Sequence, residues 1–282
     1  MIHFYKMQAL GNDFIVLVEA SLFAEHVRFL SNRHYGIGAD QVICLHISSK
    51  NKSTRVSFFN ADGTQAEMCG NGLRCVGLLL THLTGRKSHT VHTCTRAHIL
   101  DVLNAGMVRV SMGTVEILSS MSAEHLLAQE STQDFKPFVQ DYGLVNVGNP
   151  HLVFFVRNPD TAMMAARFGP IFEKHPLFPK RINVGFAYYP VGQKHTLPDP
   201  LRFSLSVWER GAGLTYACGS GALAAAALGR HLYAWPVPCE VNQQGGSLII
   251  NVNGTEYTQT GHAQLVFEAD ISLPLDFRVS HY

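Results

Sequence analysis

Met68-Cys69-Gly70-Asn71-Gly72 and Ala217-Cys218-Gly219-Ser220-Gly221 are nearly one phrase written twice, the second cysteine 149 residues after the first. Each copy opens a helix-like run. Each also follows a strand-like run that ends in polar residues, Asn60 in one case and Glu209-Arg210 in the other. The surrounding polar residues repeat in the same order. Gly11-Asn12-Asp13, then Asp40-Gln41, then Asn60-Ala61-Asp62-Gly63 precede the first cysteine; Gly148-Asn149-Pro150-His151, then Ile182-Asn183, then Trp208-Glu209-Arg210-Gly211 precede the second. A period of roughly 140 residues is far too long for a solenoid and implies two similar domains. The expected boundary is the polar stretch Ser119 to Ser122. Residues 1–118, with a C-terminal segment from about 263 to 282, then form the half carrying Cys69, and residues 119–262 the half carrying Cys218.

Apolar alternation predicts strands at Asn12–Val18, Thr54–Phe59, Met107–Ser111, Leu152–Val156, Phe203–Trp208 and Leu248–Val252. The run after Cys69 places Leu73, Val76, Leu80 and Leu83 on one helix face, the spacing of a buried stripe. After Cys218 comes Ala222-Leu-Ala-Ala-Ala-Ala-Leu-Gly229, a helix with little bulk on any side. Such a helix can lie close to the strands around it, as a central helix inside a curled sheet would.

Composition excludes several classes. The 282 residues suit two ordinary domains, and 46% hydrophobic residues can bury substantial cores. A net charge of +1 offers no basic field for nucleic acid. The N-terminal residues lack the apolar core of a signal peptide, and no apolar stretch approaches the roughly 20 residues of a membrane span. A soluble cytoplasmic protein is expected. Six cysteines without a CxxC pair suggest free thiols. His92, Cys94 and His98 would share one face of a single strand, but no second ligand pair accompanies them, and no metal is expected.

The chemistry follows from Cys-Gly-X-Gly. Glycines after the thiol let backbone approach a ligand, and the helix start offers unpaired N–H groups. Those groups favour an anion, whether a carboxylate or the thiolate itself, and lower the thiol pKa. Two such helix ends can grip one α-carboxylate, while one thiolate removes the α-proton and the other cysteine returns a proton on the opposite face. That is racemase or epimerase chemistry.

The stretch Asn60-Ala-Asp-Gly-Thr-Gln-Ala-Glu-Met-Cys-Gly-Asn-Gly-Leu-Arg74 closely resembles the signature of diaminopimelate epimerases. So do Gly11-Asn-Asp-Phe14, Gly36-Ile-Gly-Ala-Asp-Gln41, Gly148-Asn-Pro-His151 and Trp208-Glu-Arg-Gly-Ala-Gly213 with Ala217-Cys-Gly-Ser-Gly221. The resemblance runs from Lys6 to about Phe267. It implies an α+β fold of two pseudo-symmetric domains, each a curled mixed β-sheet wrapped around a central α-helix. It implies interconversion of LL- and meso-2,6-diaminopimelate without a cofactor, by a homodimer. On the matching positions it makes Cys69 and Cys218 the catalytic thiols, with His151 and Glu209 assisting. Asn12, Gln41, Asn60, Asn71, Asn149, Asn183, Glu209 and Arg210 would bind substrate, with Gly70, Gly219 and Ser220 as the backbone cradle. The pattern is departed from at Leu152 and Leu223, where cysteine is frequent, at Gly185 and Leu214, where an acid is, and at His262, where proline is.

Two rivals stand beside this reading. A proline racemase or hydroxyproline epimerase would use two cysteines but has no need to hold a distal amino acid. A thiol redox protein would use the same cysteines as a switch, though such pairs usually come as CxxC.

Overall fold

The computed structural model describes residues 1–48, 53–104, 106–118, 126–127, 130–190 and 201–273. The chain forms two compact units, Met1–Ser111 with Gly261–Tyr282, and Met112–Thr260. The expected boundary at 119–122 lies outside the described residues.

In the first unit β1 (Ile2–Ala9) and β2 (Asn12–Val18) make a hairpin, and helix α1 (Ala24–Ser31) leads to β3 (Gln41–Ser48), parallel to β2. β4 (Ser53–Asn60) returns antiparallel, and the short β5 (Gln65–Ala66) folds back on it before helix α2 (Gly70–Thr84). β6 (Ser88–His92) lies parallel to β4 and begins the meander β6, β7 (Ala97–Asn104) and β8 (Met107–Gly113). At the other edge β1 pairs with a strand from the end of the chain, β18 (Gln264–Ile271).

The second unit repeats this plan. β9 (Glu116–Leu118) pairs with β10 (Val139–Asn146), which forms a hairpin with β11 (Pro150–Val156). A short helix α3 (Glu130–Gln133) precedes β10, and α4 (Thr161–Glu173) leads to β12 (Asn183–Tyr188), parallel to β11. β13 (Leu201–Glu209), β14 (Gly213–Leu214) and α5 (Gly219–Tyr233) follow, and then the meander β15 (Cys239–Gln243), β16 (Gly246–Asn253) and β17 (Glu256–His262). From one edge to the other, both sheets pair antiparallel, antiparallel, parallel, antiparallel, parallel, antiparallel, antiparallel. The repeated phrases in the sequence are the trace of this repeated topology.

Each central helix is buried against strands along its sheet: α2 touches β1, β2, β6, β7 and β18, and α5 touches β10, β11, β12, β13, β15 and β16. Strand alternation supplies the inner faces, as in β8, where Val108, Val110 and Met112 are buried between more exposed neighbours. Leu73, Val76 and Leu80 are buried as the helical spacing predicts, but Leu83 is 42% exposed, because the last turn of α2 emerges from the sheet.

The stretch containing His92, Cys94 and His98 is two strands, with a turn closed by Thr93 N–H donating to the Arg96 carbonyl. His92 and Cys94 are exposed, whereas His98 is buried with its Nδ1 2.8 Å from the Ser111 carbonyl. The shared face read from the sequence is therefore absent: the turn breaks the period. Among the described residues no group of His, Cys, Asp or Glu is arranged to hold a metal, and no helix is long and apolar enough to cross a membrane.

Small residues set the closeness of the α5 packing. At Gly229 an added Cβ would lie 2.2 Å from Cε3 of Trp235, which is itself buried against Phe155 and Phe203. Helix propensity favours Ala over Gly by about 1 kcal/mol, whereas overpacking a rigid core costs about 1–3 kcal/mol. Gly229→Ala is therefore expected to be a net loss of stability, read as a lower urea midpoint by tryptophan fluorescence. A higher midpoint would show that Trp235 does not press on the helix.

Candidate active site

Cys69 is the N-cap of α2, in extended backbone conformation, with the Leu73 amide donating to its carbonyl at 2.8 Å. The turn before it is built from local polar contacts: Asp62 Oδ1 accepts from the Thr64 amide and hydroxyl, and the Gly63 amide donates to the Asn60 carbonyl. Asn60 thus ends β4 beside Gln41 of β3, whose Nε2 donates to Asn60 Oδ1 at 3.0 Å. Asn12, at the start of β2, accepts at Oδ1 from the Cys69 thiol at 3.7 Å and from Asn71 Nδ2 at 3.4 Å. Gly70 and Asn71, the first residues of α2, are buried. The first unit therefore gathers Asn12, Cys69, Gly70 and Asn71 at one helix end, with Gln41 and Asn60 paired to each other.

Cys218 is likewise the N-cap of α5 and is buried. Its amide donates to Gln243 Oε1 at 2.8 Å, and its sulfur accepts from the Gly221 amide at 3.4 Å. The sulfur also lies 3.4 Å from the Ser220 hydroxyl, which is 3.1 Å from Nε2 of His151 on β11. That same nitrogen is 3.2 Å from Asn149 Oδ1. Asn183 of β12 donates to the Pro150 carbonyl and accepts at Oδ1 from the Arg210 amide at 2.9 Å. Glu209, at the end of β13, accepts from the Thr215 hydroxyl at 2.6 Å. The second unit thus joins Asn149, His151, Asn183, Glu209, Arg210, Cys218, Gly219 and Ser220 around one helix start.

Electrostatics separates Cys218 from the sequence expectation of a lowered thiol pKa. Burial pushes this thiol well up, and the Glu209 carboxylate adds to the shift. The Ser220 hydroxyl and the Gly221 amide pull the other way and lose. Desolvation of a charge outweighs a helix end here, so Cys218 carries its proton. Burial also drives His151 down to about 3, helped by the positive charge of Arg210, so its imidazole is neutral at physiological pH.

The sequence model of the diaminopimelate epimerase family matches residues 4–118 and 143–266. The chain belongs to this family. It is 36% identical over 292 residues to the diaminopimelate epimerase of Thioalkalivibrio sulfidiphilus, covering 96% of this chain and 99% of that one. It is 36% identical over 286 residues to that of Pseudomonas fluorescens, covering 97% and 100%. Among solved structures, a predicted epimerase from Pseudomonas aeruginosa has the same fold, with a TM-score of 0.72 at 18% identity, covering 97% of this chain and all of the other. The protein is thus a cofactor-independent amino-acid epimerase, an isomerase.

Sequence reasoning missed the residues that hold this epimerase's polar groups in place. Asp13 accepts from Lys6 at 2.6 Å and from Arg33 at 2.8 and 3.0 Å, while Arg33 also pairs with Asp40. Asp40 in turn accepts from Asn12 Nδ2 at 2.8 Å, which fixes that amide. Burial alone would raise the Asp13 carboxyl, but the bonds from Arg33 and Lys6 hold it well below the usual carboxylate range. In the second unit buried Glu173 accepts from Trp208 Nε1 at 2.9 Å and from the Gly211 amide at 3.0 Å, bracing the end of β13 at Glu209 and the turn that carries Arg210. These acids lie outside the Cys-Gly-X-Gly phrases, and only the folded chain brings them to their partners.

The departures from the family pattern fall in ordinary places. Leu152 and Leu223 are buried, Gly185 sits in β12 between Val153 and Val207, and Leu214 is partly exposed in β14.

The buried imidazole sets a pH dependence. Unfolded His151 titrates near 6.5 and folded His151 at about 3. Between these values the unfolded chain binds a proton that the folded protein does not, so stability falls as pH drops through that window, by up to ~1.4 kcal/mol per pH unit. His151→Gln should flatten the decline in urea midpoint between pH 6.5 and 4.5. Equal declines in variant and parent would place the acid sensitivity elsewhere.

Proposed function

We propose that this epimerase interconverts LL- and meso-2,6-diaminopimelate, in the cytoplasm and as a homodimer, on the route to lysine and peptidoglycan precursors. The observation that carries this reading is the repeated construction itself: a cysteine at the N-cap of a buried helix, once in each unit, each among amide side chains. In the proposed reaction one cysteine is a thiolate and takes the α-proton. The C–H electron pair passes into the α-carboxylate, whose growing negative charge the helix-end amides of Gly70, Asn71, Gly219 and Ser220 stabilise. The other cysteine, as thiol, gives its proton to the opposite face of the carbon. Product leaves with the thiol and thiolate exchanged, so the reverse reaction uses the same groups with roles swapped. Glu209 and His151 assist as neighbours of the second thiol.

The distal end of the substrate carries an ammonium and a carboxylate. Asn12, Gln41, Asn60, Asn149, Asn183 and Arg210 supply carbonyl oxygens for the first and N–H donors for the second. A shorter amino acid would leave these groups unmatched, which favours the diamino diacid over proline.

The test is epimerisation by the purified protein in deuterated water, with LL-diaminopimelate and proline offered separately. Formation of the meso isomer with α-deuterium is expected; racemisation of proline in its place would refute the assignment. Cys69→Ser and Cys218→Ser should each lower turnover by at least ~100-fold, the range for loss of a positioned proton-transfer group. Each should also lose α-proton exchange from a different stereoisomer. Equal loss for both isomers in both variants, with binding intact, would exclude face-specific roles.

A further inference from the structure

The repeated plan breaks in charge at two corresponding positions. Nine residues before its cysteine the first copy has Asn60 and the second Glu209; five residues after, the first has Arg74 and the second Leu223. Leu223 is an apolar core residue, and Glu209 places a negative charge beside Cys218. Arg74 is the opposite case, a guanidinium with no exposed surface. Among the described residues no carboxylate pairs with it. One Nη donates to Asn71 Oδ1 at 2.7 Å, Nε donates to the His262 carbonyl at 3.4 Å, and the other Nη has no hydrogen-bond partner. A buried guanidinium held by neutral groups alone is costly unless an anion stands nearby.

The neighbouring groups narrow what that anion is. Cys75, next to Arg74 on α2, is fully buried, and burial pushes its thiol far up, so it stays neutral. Across Asn12 the charges of Lys6, Arg33, Asp13 and Asp40 are bonded to one another and balance. His89 and His98, on β6 and β7, are lowered by burial and neutral, and the His262 ring and Glu67 are exposed. Cys69 is partly exposed, and a thiolate there, like one at Cys75, would act favourably on the Arg74 charge.

We propose, resting on the two-thiol reading above, that Arg74 is a positioning residue that makes Cys69 the thiolate of the resting enzyme. Its bond to Asn71 Oδ1 turns the Asn71 amide N–H group toward Asn12 Oδ1, the atom that the Cys69 thiol also meets. When Cys69 gives up its proton, that N–H group is the donor at hand, and the buried guanidinium supplies the balancing charge.

The experiment is the pH dependence of iodoacetamide alkylation of the whole protein, with Cys69 and Cys218 read separately by peptide mass spectrometry. In the parent protein the midpoint for Cys69 should lie below that for Cys218. Arg74→Gln should raise the Cys69 midpoint, slowing its alkylation at pH 7 about tenfold for every pH unit by which the midpoint comes to stand above 7, and leave the Cys218 midpoint in place. Arg74→Lys should restore the low midpoint. In turnover, Arg74→Gln should lower kcat with KM changed less than about twofold, since Arg74 has no exposed surface for substrate to touch. A parent Cys69 midpoint at or above that of Cys218 would overturn the proposal even if Arg74→Gln does not fold. So would a folded Arg74→Gln with the parent midpoint. Failure to epimerise LL-diaminopimelate with these midpoints as stated would overturn the function and leave the charge assignment supported.

Discussion

Each central helix can begin against the strands of its sheet only because glycines leave room at particular points of its first turn. At Gly72 a Cβ would stand 2.7 Å from the Phe58 ring, at Gly219 2.6 Å from the Gln259 amide, and at Gly221 2.7 Å from Val207. These distances are shorter than packed carbon contacts allow, so the glycines are what let α2 and α5 start where they do. Each start then presents bare amides and one cysteine among the polar ends of neighbouring strands. Site chemistry and core packing are consequences of the same few missing side chains.

Two effects compete over each thiol. The helix end and its amides favour the thiolate, while burial favours the neutral form. At Cys218 burial wins, reinforced by Glu209. At Cys69 the thiol is more accessible, and the buried Arg74 guanidinium favours its charged form. An internal duplication delivers two chemically equal groups; the substitutions around them make the two unequal before any substrate arrives.

Much of this was legible in the sequence. The strand read at Asn12–Val18 coincides with β2, although its residues 14–17 are all buried and not alternately so. The alternation at Thr54–Phe59 lies within β4, where burial does follow the period-two print of a pleated strand. Both cysteine phrases are helix starts, and the structure joins Asn12 and Asn71 to Cys69 in one half and Asn149, His151 and Ser220 to Cys218 in the other. What escaped was of two kinds. Leu83 follows the apolar stripe yet is exposed, since periodicity reports a face and not how far the sheet extends along it. Glu173 gave no sign because its partners lie 35 and 38 residues away, and Asp13 stood inside a quoted motif without showing its partner Arg33, 20 residues on. Arg74 stood in plain view in the signature, but only the fold shows its charge to be buried, with no acid paired to it among the described residues.

The strand that completes the edge of the first sheet, β18, is drawn from residues that follow the entire second unit. During synthesis the second unit can therefore close while the first still waits. Until residues 264–271 emerge from the ribosome, the outer edge of β1 is an open row of amides and carbonyls, ready to pair with any extended chain. Order of birth and order of completion are thus reversed in this molecule: the half made first is the half finished last.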